Sequence, residues 1–459
     1  MSHKIEQNIV IQSSINGNHF DQFNVNPKNV QSTLKKFMLV DGFDITVDLN
    51  KSEGAYLYDS KHERKLLDFF TFVASNPLGM NHPKLNNEKF IKEIGKVAVN
   101  KPSLSDIYTE IQAEFVETFF EIAVPEYFKY SFFVEGGAMA VENALKAAFD
   151  WKVRKNFAKG YKEEKGHQVI HFRQAFHGRS GYTMSLTNTD PNKVLYYPKF
   201  NWPRIDNPKV TFPLKDENLK QVIQAEQTSI NQIKDAIQKN KDDIASILLE
   251  PVQGEGGDNH FRKEFFLQLR QICDENDIMF ILDEVQTGIA LTGKWWAHMH
   301  YVQPDLIAFG KKTQVCGILS TGRIDEVEEN VFRKPSRINS TWGGNMVDMK
   351  RFKKILEIIK EENLVSNCEV MGKYLQDKLA ELSQKHPDKV SNTRGLGLFC
   401  AFDCADTEMR NDVSSKALEN NLIILGCGDR SIRFRPPVNV TKEEINEGLE
   451  ILDKVLKQL

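Results

Sequence analysis

Short runs of Val, Ile, Leu and Phe punctuate the middle of the chain at YSFFV (130–134), QVIHF (168–172), ASILLE (245–250), IMFILDE (278–284) and DLIAFG (305–310). Helix-length amphipathic stretches separate them, so the pattern predicts an α/β domain built on a mainly parallel sheet. Earlier, residues 43–70 carry β-rich pieces broken by turn clusters at NKSEG and DSKHE, the signature of an antiparallel meander. Beyond about Met346, helical patterns enclose a few strands, GLGLFCAFD, LIILG and IRFRPP. The last helix opens with a capping box, Thr441 with Glu444, and places Ile445, Leu449, Leu452 and Leu456 on one face. These patterns predict an N-terminal arm over 1–34 and a large domain over 86–345. A smaller α+β domain takes 35–85 and 346–459, so that both chain ends build it.

At 459 residues the chain is long enough for two or three domains, and 41% hydrophobic with 27% charged residues is ordinary for a globular protein. A formal net charge of −3 supplies no broad field for nucleic acid or anionic lipid, which points to a small ligand. The cysteines at 273, 316, 368, 400, 404 and 427 form no C-x-x-C pair, as expected of a reducing, cytoplasmic setting. No apolar run approaches the ~20 residues of a membrane span, and the first residues lack the basic and apolar regions of a signal peptide. The polar opening reads as a loosely held arm. No helical H-x-x-x-H pair occurs, and the closest histidines, His298 and His300, read as surface or core residues, so no metal is expected.

In a parallel α/β sheet, ligands gather at the carboxyl ends of strands, and there the chain concentrates its chemistry. LDEVQTG (282–288) places Asp283 and Glu284 directly after an apolar run. Such acids can simply cap a turn; Asp283 can also be a fixed anion for a ring nitrogen that must stay protonated. FVEGGAMAVENALKAAFDW (133–151) sets Gly136, Gly137 and Ala138 between strand and helix, either a tight turn or a phosphate cradle of free amides. HFRQAFHGRSGYT (171–183) offers Phe176 to stack on a flat ligand and Arg179 to grip a carboxylate. The plainer readings are a core phenylalanine, a hydrogen-bonded His177 and a surface Arg179. LLEPVQGEGG (248–257) ends a strand at Glu250 and adds Glu255 in a Gly-rich loop, where a solvated charge is the plain reading. In PDLIAFGKKTQVCG (304–317), Lys311 follows an apolar run, and an amine losing hydration there becomes nucleophilic, as a Schiff-base lysine requires.

The ordered set FFVEGGAMAVENALKAA, AFHGRSGYT, EPVQGEGG, LDEVQTG, PDLIAFGKK, NSTWGGN and IRFRPP resembles the class III aminotransferases, pyridoxal-phosphate enzymes of fold type I. LVDGFDITVDLNKS, LDFFTFVASNPLGMN and FGKKTQVCG extend the likeness to members acting on the terminal amine of L-lysine, from about Lys35 to the C-terminus. The resemblance implies that Lys311 bonds to the aldehyde of pyridoxal 5′-phosphate and then shuttles a proton. It implies Asp283 at the pyridine nitrogen, Gln286 near the phenolate oxygen, Gly137 and Ala138 at the phosphate, and Phe176 on the ring. It implies a homodimer in which Thr341 reaches the neighbouring subunit's phosphate. The chain departs from the family at 136–138, where Gly-Gly-Ala stands in place of Ser-Gly-Thr or similar, leaving main-chain amides and Thr341 to hold the phosphate. Lys312 beside Lys311 is an ambiguity that the resemblance resolves toward Lys311.

Two substrates must share one site: L-lysine with one carboxylate and 2-oxoglutarate, or its product glutamate, with two. Arg179 is expected to bind the common carboxylate and Arg433 the second one, with Arg435 as a competing candidate. Glu255 is expected to pair with Arg433 while lysine is bound, because an unpaired buried guanidinium is costly. The expected reaction moves the ε-amino group of lysine to 2-oxoglutarate, giving 2-aminoadipate 6-semialdehyde. Ornithine or 4-aminobutyrate is the alternative donor, since a methylene is worth only about 1–3 kcal/mol of discrimination. A pyridoxal-phosphate aminomutase and a silent binding protein are the readings from other classes.

Overall fold

The computed structural model describes residues 25–102 and 106–459. Most of the expected arm, residues 1–24, lies outside the described residues; the remainder includes a short helix, Val30–Leu34.

The meander forms as three antiparallel strands, β1 (Val47–Glu53), β2 (Tyr56–Asp59) and β3 (Arg64–Asp68). The central sheet follows with β4 (Phe128–Val134), β5 (Gln168–Phe172), β6 (Arg204–Ile205), β7 (Ile244–Leu249), β8 (Met279–Asp283), β9 (Leu306–Phe309) and β10 (Cys316–Thr321). Its order is β4-β10-β9-β8-β7-β5-β6. The pairings from β6 through β9 are parallel, while β10 runs antiparallel to both β9 and β4. β10 was not predicted: only six residues separate it from β9, and the single 3₁₀ turn between them, Lys311–Thr313, is too short to mark a separate strand. The C-terminal region adds β11 (Ser391–Leu396), β12 (Phe399–Asp403), β13 (Leu422–Ile423), β14 (Leu425–Cys427) and β15 (Ser431–Phe434). Four of these make an antiparallel sheet, whereas β13 joins β3 in parallel, so the two chain ends share a sheet.

Every residue of β7, β8 and β9 is buried, because both faces of the sheet are covered. Alternation along the strands, shifted by one residue at Ala245 where the β5–β7 register slips, sorts their side chains into two cores. Ala245, Leu248, Met279, Ile281, Leu306 and Ala308 meet the helix Gly137–Ala158 on one face. Ile247, Leu249, Phe280, Leu282, Ile307 and Phe309 face the helices Lys263–Glu275 and Met346–Glu361 on the other. The second face is rich in aromatics: Phe115 and Phe133 lie 5.4 Å apart, and Phe119 and Phe309 5.5 Å apart. Met346–Glu361 also packs along Glu110–Ile122 and thereby ties the C-terminal region to the large sheet. The final helix, Lys442–Gln458, carries the predicted capping box and buries Ile445, Leu449, Leu452 and Leu456. No helix among the described residues is long and apolar enough to cross a membrane.

Candidate active site

The carboxyl ends of β5, β7, β8 and β9 open onto a cavity of about 290 Å³. Gly137, Ala138, Phe176, Glu255, Asp283, Gln286 and Lys311 line it, together with His177, Gly178, Glu250 and Val285. Seven expected site residues thus converge from loops separated by up to 174 positions in the chain.

Asp283 ends β8 and is 5% exposed. Its Oδ1 accepts the Val285 amide at 3.0 Å, and its Oδ2 lies 2.8 Å from His177 Nδ1. A charged carboxylate can only accept, so Nδ1 carries the proton and the ring orients the carboxylate. His177 Nε2 is buried and has no partner among the described residues. At the end of β7, Glu250 takes the Phe176 amide on Oε1 at 3.0 Å and the Gly254 amide on Oε2 at 3.1 Å. Burial, then the nearby charge of Asp283, pushes the Glu250 carboxyl well above the usual carboxylate range. Both of these Glu250 partners are main-chain amides, whereas Asp283 also has a side-chain partner in His177.

Lys311 follows Gly310 with φ of +56°, a left-handed conformation that costs a non-glycine residue about 1–3 kcal/mol. Burial lowers its amine, Arg433 and Arg435 lower it further, and Glu255 and Asp283 pull it partly back. A lower affinity for protons increases the neutral, reactive fraction. Lys312 is oriented differently. It is 2% exposed, donates to the Gln286 carbonyl at 2.6 Å, and does not line the cavity. Of the adjacent lysines, only the first faces the site.

The helix Gly137–Ala158 points its N-terminus at the cavity, and its N-cap Gly136 adopts φ of +99° with no side-chain cap. The first amides therefore remain available to an anion, with the helix dipole in support. A methyl group on Gly137 would stand 2.9 Å from Val285 Cγ1, and one on Gly178, at φ +116°, 2.5 Å from Ala138 Cβ. The close approach of these loops depends on both glycines.

Opposite, Arg433 Nη2 pairs with Glu255 Oε1 at 2.8 Å, while Lys193 Nζ lies 3.6 Å from Glu255 Oε2. Burial raises the Glu255 carboxyl, but Arg433, Lys193 and Lys311 outweigh it and bring it from 4.5 down to about 2. Arg435 is already occupied: it grips Asp258 at 2.6 and 2.9 Å, lies 3.3 Å over the Phe399 ring, and donates to Gln286 Oε1 at 3.0 Å. Between the two arginines, Arg433 is the one whose acidic partner lines the cavity.

Two expected residues stand elsewhere. Arg179, next to Gly178 in the chain, is exposed and not part of the lining, because adjacent residues of the turn point in different directions. Thr341, in NSTWGGN, is exposed and away from the cavity. Conversely, sequence reasoning gave no site role to Glu250, His177, Asp258 or Lys193. Glu250 had the same strand-end signal as Asp283; the contact of His177 with a residue 106 positions away had none.

The donor set fits pyridoxal 5′-phosphate: uncapped amides for the phosphate, an oriented carboxylate for the ring nitrogen, an amine for the aldehyde and an aromatic side chain for the ring. The family model described as Aminotransferase class-III matches residues 39–456. The L-lysine-epsilon aminotransferase of Mycobacterium tuberculosis is 49% identical over 432 residues, covering 94% of this chain and 96% of that protein. The L-lysine-epsilon aminotransferase of Streptomyces clavuligerus is 45% identical over 439 residues, covering 95% and 96%. Among solved structures, a lysine aminotransferase from M. tuberculosis in the internal aldimine form superposes with a TM-score of 0.92 at 48% identity, covering 95% of this chain and 100% of that one.

Proposed function

This chain belongs to the class III aminotransferases, and on that premise we propose that it moves the ε-amino group of L-lysine to 2-oxoglutarate. The products are 2-aminoadipate 6-semialdehyde and glutamate, formed in two half-reactions that alternate at one site. Its cofactor is pyridoxal 5′-phosphate, which supplies an electron sink for breaking the C–H bond beside the reacting nitrogen.

The chain's residues divide the remaining work. Asp283, held by His177 and the Val285 amide, provides the anion that keeps the ring nitrogen protonated. The amides of Gly137 and Ala138 bind the phosphate without side-chain hydroxyls, and Phe176 and Gln286 fix the ring and its phenolate oxygen. Lys311 would hold the cofactor through its aldehyde at rest, and its Nζ, when free, would take the proton from the substrate carbon and return it. The depressed proton affinity of this amine favours that acceptor role.

Glu255, which lines the cavity with Lys311 and pairs with the buried Arg433, carries the substrate assignment. With Glu255 in place the Arg433 charge is neutralised, and the site accepts a substrate with one carboxylate. When Glu255 withdraws, Arg433 receives the second carboxylate of 2-oxoglutarate or glutamate. Arg179 turns inward from its exposed position beside Gly178 to hold the carboxylate common to both. That hold keeps the α-amine away from Lys311 and presents the ε-amine. Thr341, exposed in a single chain, completes the phosphate site of a second subunit, which makes the active form a homodimer. The sheet that β3 and β13 share supports a small domain built from residues 35–85 and 346–459 around a large domain over 86–345.

Purified enzyme tested with lysine, ornithine and 4-aminobutyrate, each with 2-oxoglutarate and an aldehyde trap, checks the assignment. Lysine should give the highest kcat/KM, and without 2-oxoglutarate no more than a single turnover per active site should occur. A higher value for ornithine would reassign the donor, and repeated turnover without 2-oxoglutarate would identify an aminomutase.

A further inference from the structure

The two oxygens of Glu255 are divided between two cations. Oε1 faces inward to Arg433 at 2.8 Å, and Oε2 faces Lys193 at 3.6 Å. Glu255 lines both the inner cavity and an adjoining one of about 440 Å³, whose walls include Lys193, Arg410, Cys427 and Gly428. We propose that Lys193 is the second station of the Glu255 carboxylate, holding it while a dicarboxylate occupies Arg433, and that Lys193 thereby sets the balance between the two substrates. The inference rests on the lysine and 2-oxoglutarate reading above.

The surroundings suit a short swing. The Glu255 backbone is anchored, its carbonyl accepting the Gly428 amide at 3.0 Å, so only the side chain has to move. Lys193 is also held in place. It ends the turn Pro191–Lys193, which Asp190 caps by accepting the Asn192 amide at 2.9 Å, and its Nζ lies 5.2 Å from the Phe176 ring centroid. Among the described residues, Glu255 is the only acid with which Lys193 pairs. Arg410, the other cation of the outer cavity, is already donating to the Gly428 carbonyl and to Asn411. A carboxylate leaving Arg433 with no cation nearby would lose its pairing inside a partly desolvated space. Lys193 removes that loss, because Oε2 is already within its reach.

The test uses the holoenzyme and follows each half-reaction by the cofactor's absorbance. Lys193→Met should raise the ratio of the 2-oxoglutarate to the lysine dissociation constant by about twofold to fivefold, the weight of one partly exposed charge pair. Lys193→Arg should restore the ratio, and in a Glu255→Gln background Lys193→Met should leave it where Glu255→Gln put it. An equal effect on both substrates, or the same ratio change in the Glu255→Gln background, overturns the inference. If Glu255→Gln shifts substrate preference and Lys193→Met does not, Lys193 has no such role while the Glu255 reading stands. If Glu255→Gln shifts nothing, the Glu255 reading itself has failed.

Discussion

Replacing Glu255 with Gln keeps the side chain's size and removes the charge that faces Arg433. The fall of the Glu255 carboxyl from 4.5 to about 2 corresponds to roughly 3 kcal/mol in favour of its charged form. Lys193 and Lys311 share that attraction, so about 1–2 kcal/mol belongs to Arg433, equivalent to roughly a tenfold change in an equilibrium. In Glu255→Gln, lysine would sit opposite an uncompensated guanidinium 3% exposed to solvent, while a dicarboxylate would no longer compete for it. Rapid-mixing absorbance measurements of the first half-reaction, with lysine and with glutamate, give the two specificity constants separately. Their ratio should move roughly tenfold toward glutamate. Because the carboxyl is depressed, the pair is intact above pH 4.5 and weakens only as pH falls toward about 2. The wild-type preference should therefore show no step attributable to Glu255 between roughly pH 6 and 9. An unchanged lysine-to-glutamate ratio in the variant would refute the reasoning.

Asp258→Ala leaves Arg435 buried without its bidentate partner and should cost about 3–5 kcal/mol, read as a lower urea midpoint of the holoenzyme. Replacing both residues together, Asp258→Leu with Arg435→Met, should cost less than the single change. Burial raises the Asp68 carboxyl to about 6, so stability should fall as pH rises from about 4 through 6. Asp68→Asn keeps an acceptor for the Phe70 and Thr71 amides, both of which bond to Oδ1. It should flatten that pH dependence and add up to ~3 kcal/mol at neutral pH in equilibrium unfolding.

The strands that carry the site were legible because each is a short apolar run ending in a polar residue, and Asp283, Glu255 and Lys311 lie where that rule puts ligands. β10 was not legible, because an antiparallel return after a tight lysine loop leaves none of the long connection that separates the other apolar runs. Lys311 and Lys312 are indistinguishable by composition; the left-handed backbone at Lys311 and the Gln286 carbonyl that captures Lys312 separate them. Arg433 and Arg435 present the same difficulty. They are two residues apart and both buried, and only their acids, Glu255 and Asp258 of one loop, assign them different work. His177 and Arg179 show the reverse of what their residue types suggest, the histidine touching the site carboxylate and the arginine facing solvent.

The central claim is that the amine of Lys311, facing Asp283 across one cavity, is the attachment point of the cofactor. Borohydride reduction of the holoenzyme makes that bond permanent, and peptide mapping then locates it. A single labelled peptide with the modification on Lys311 is the predicted result; a label on Lys312 or another lysine, or none at all, would contradict it.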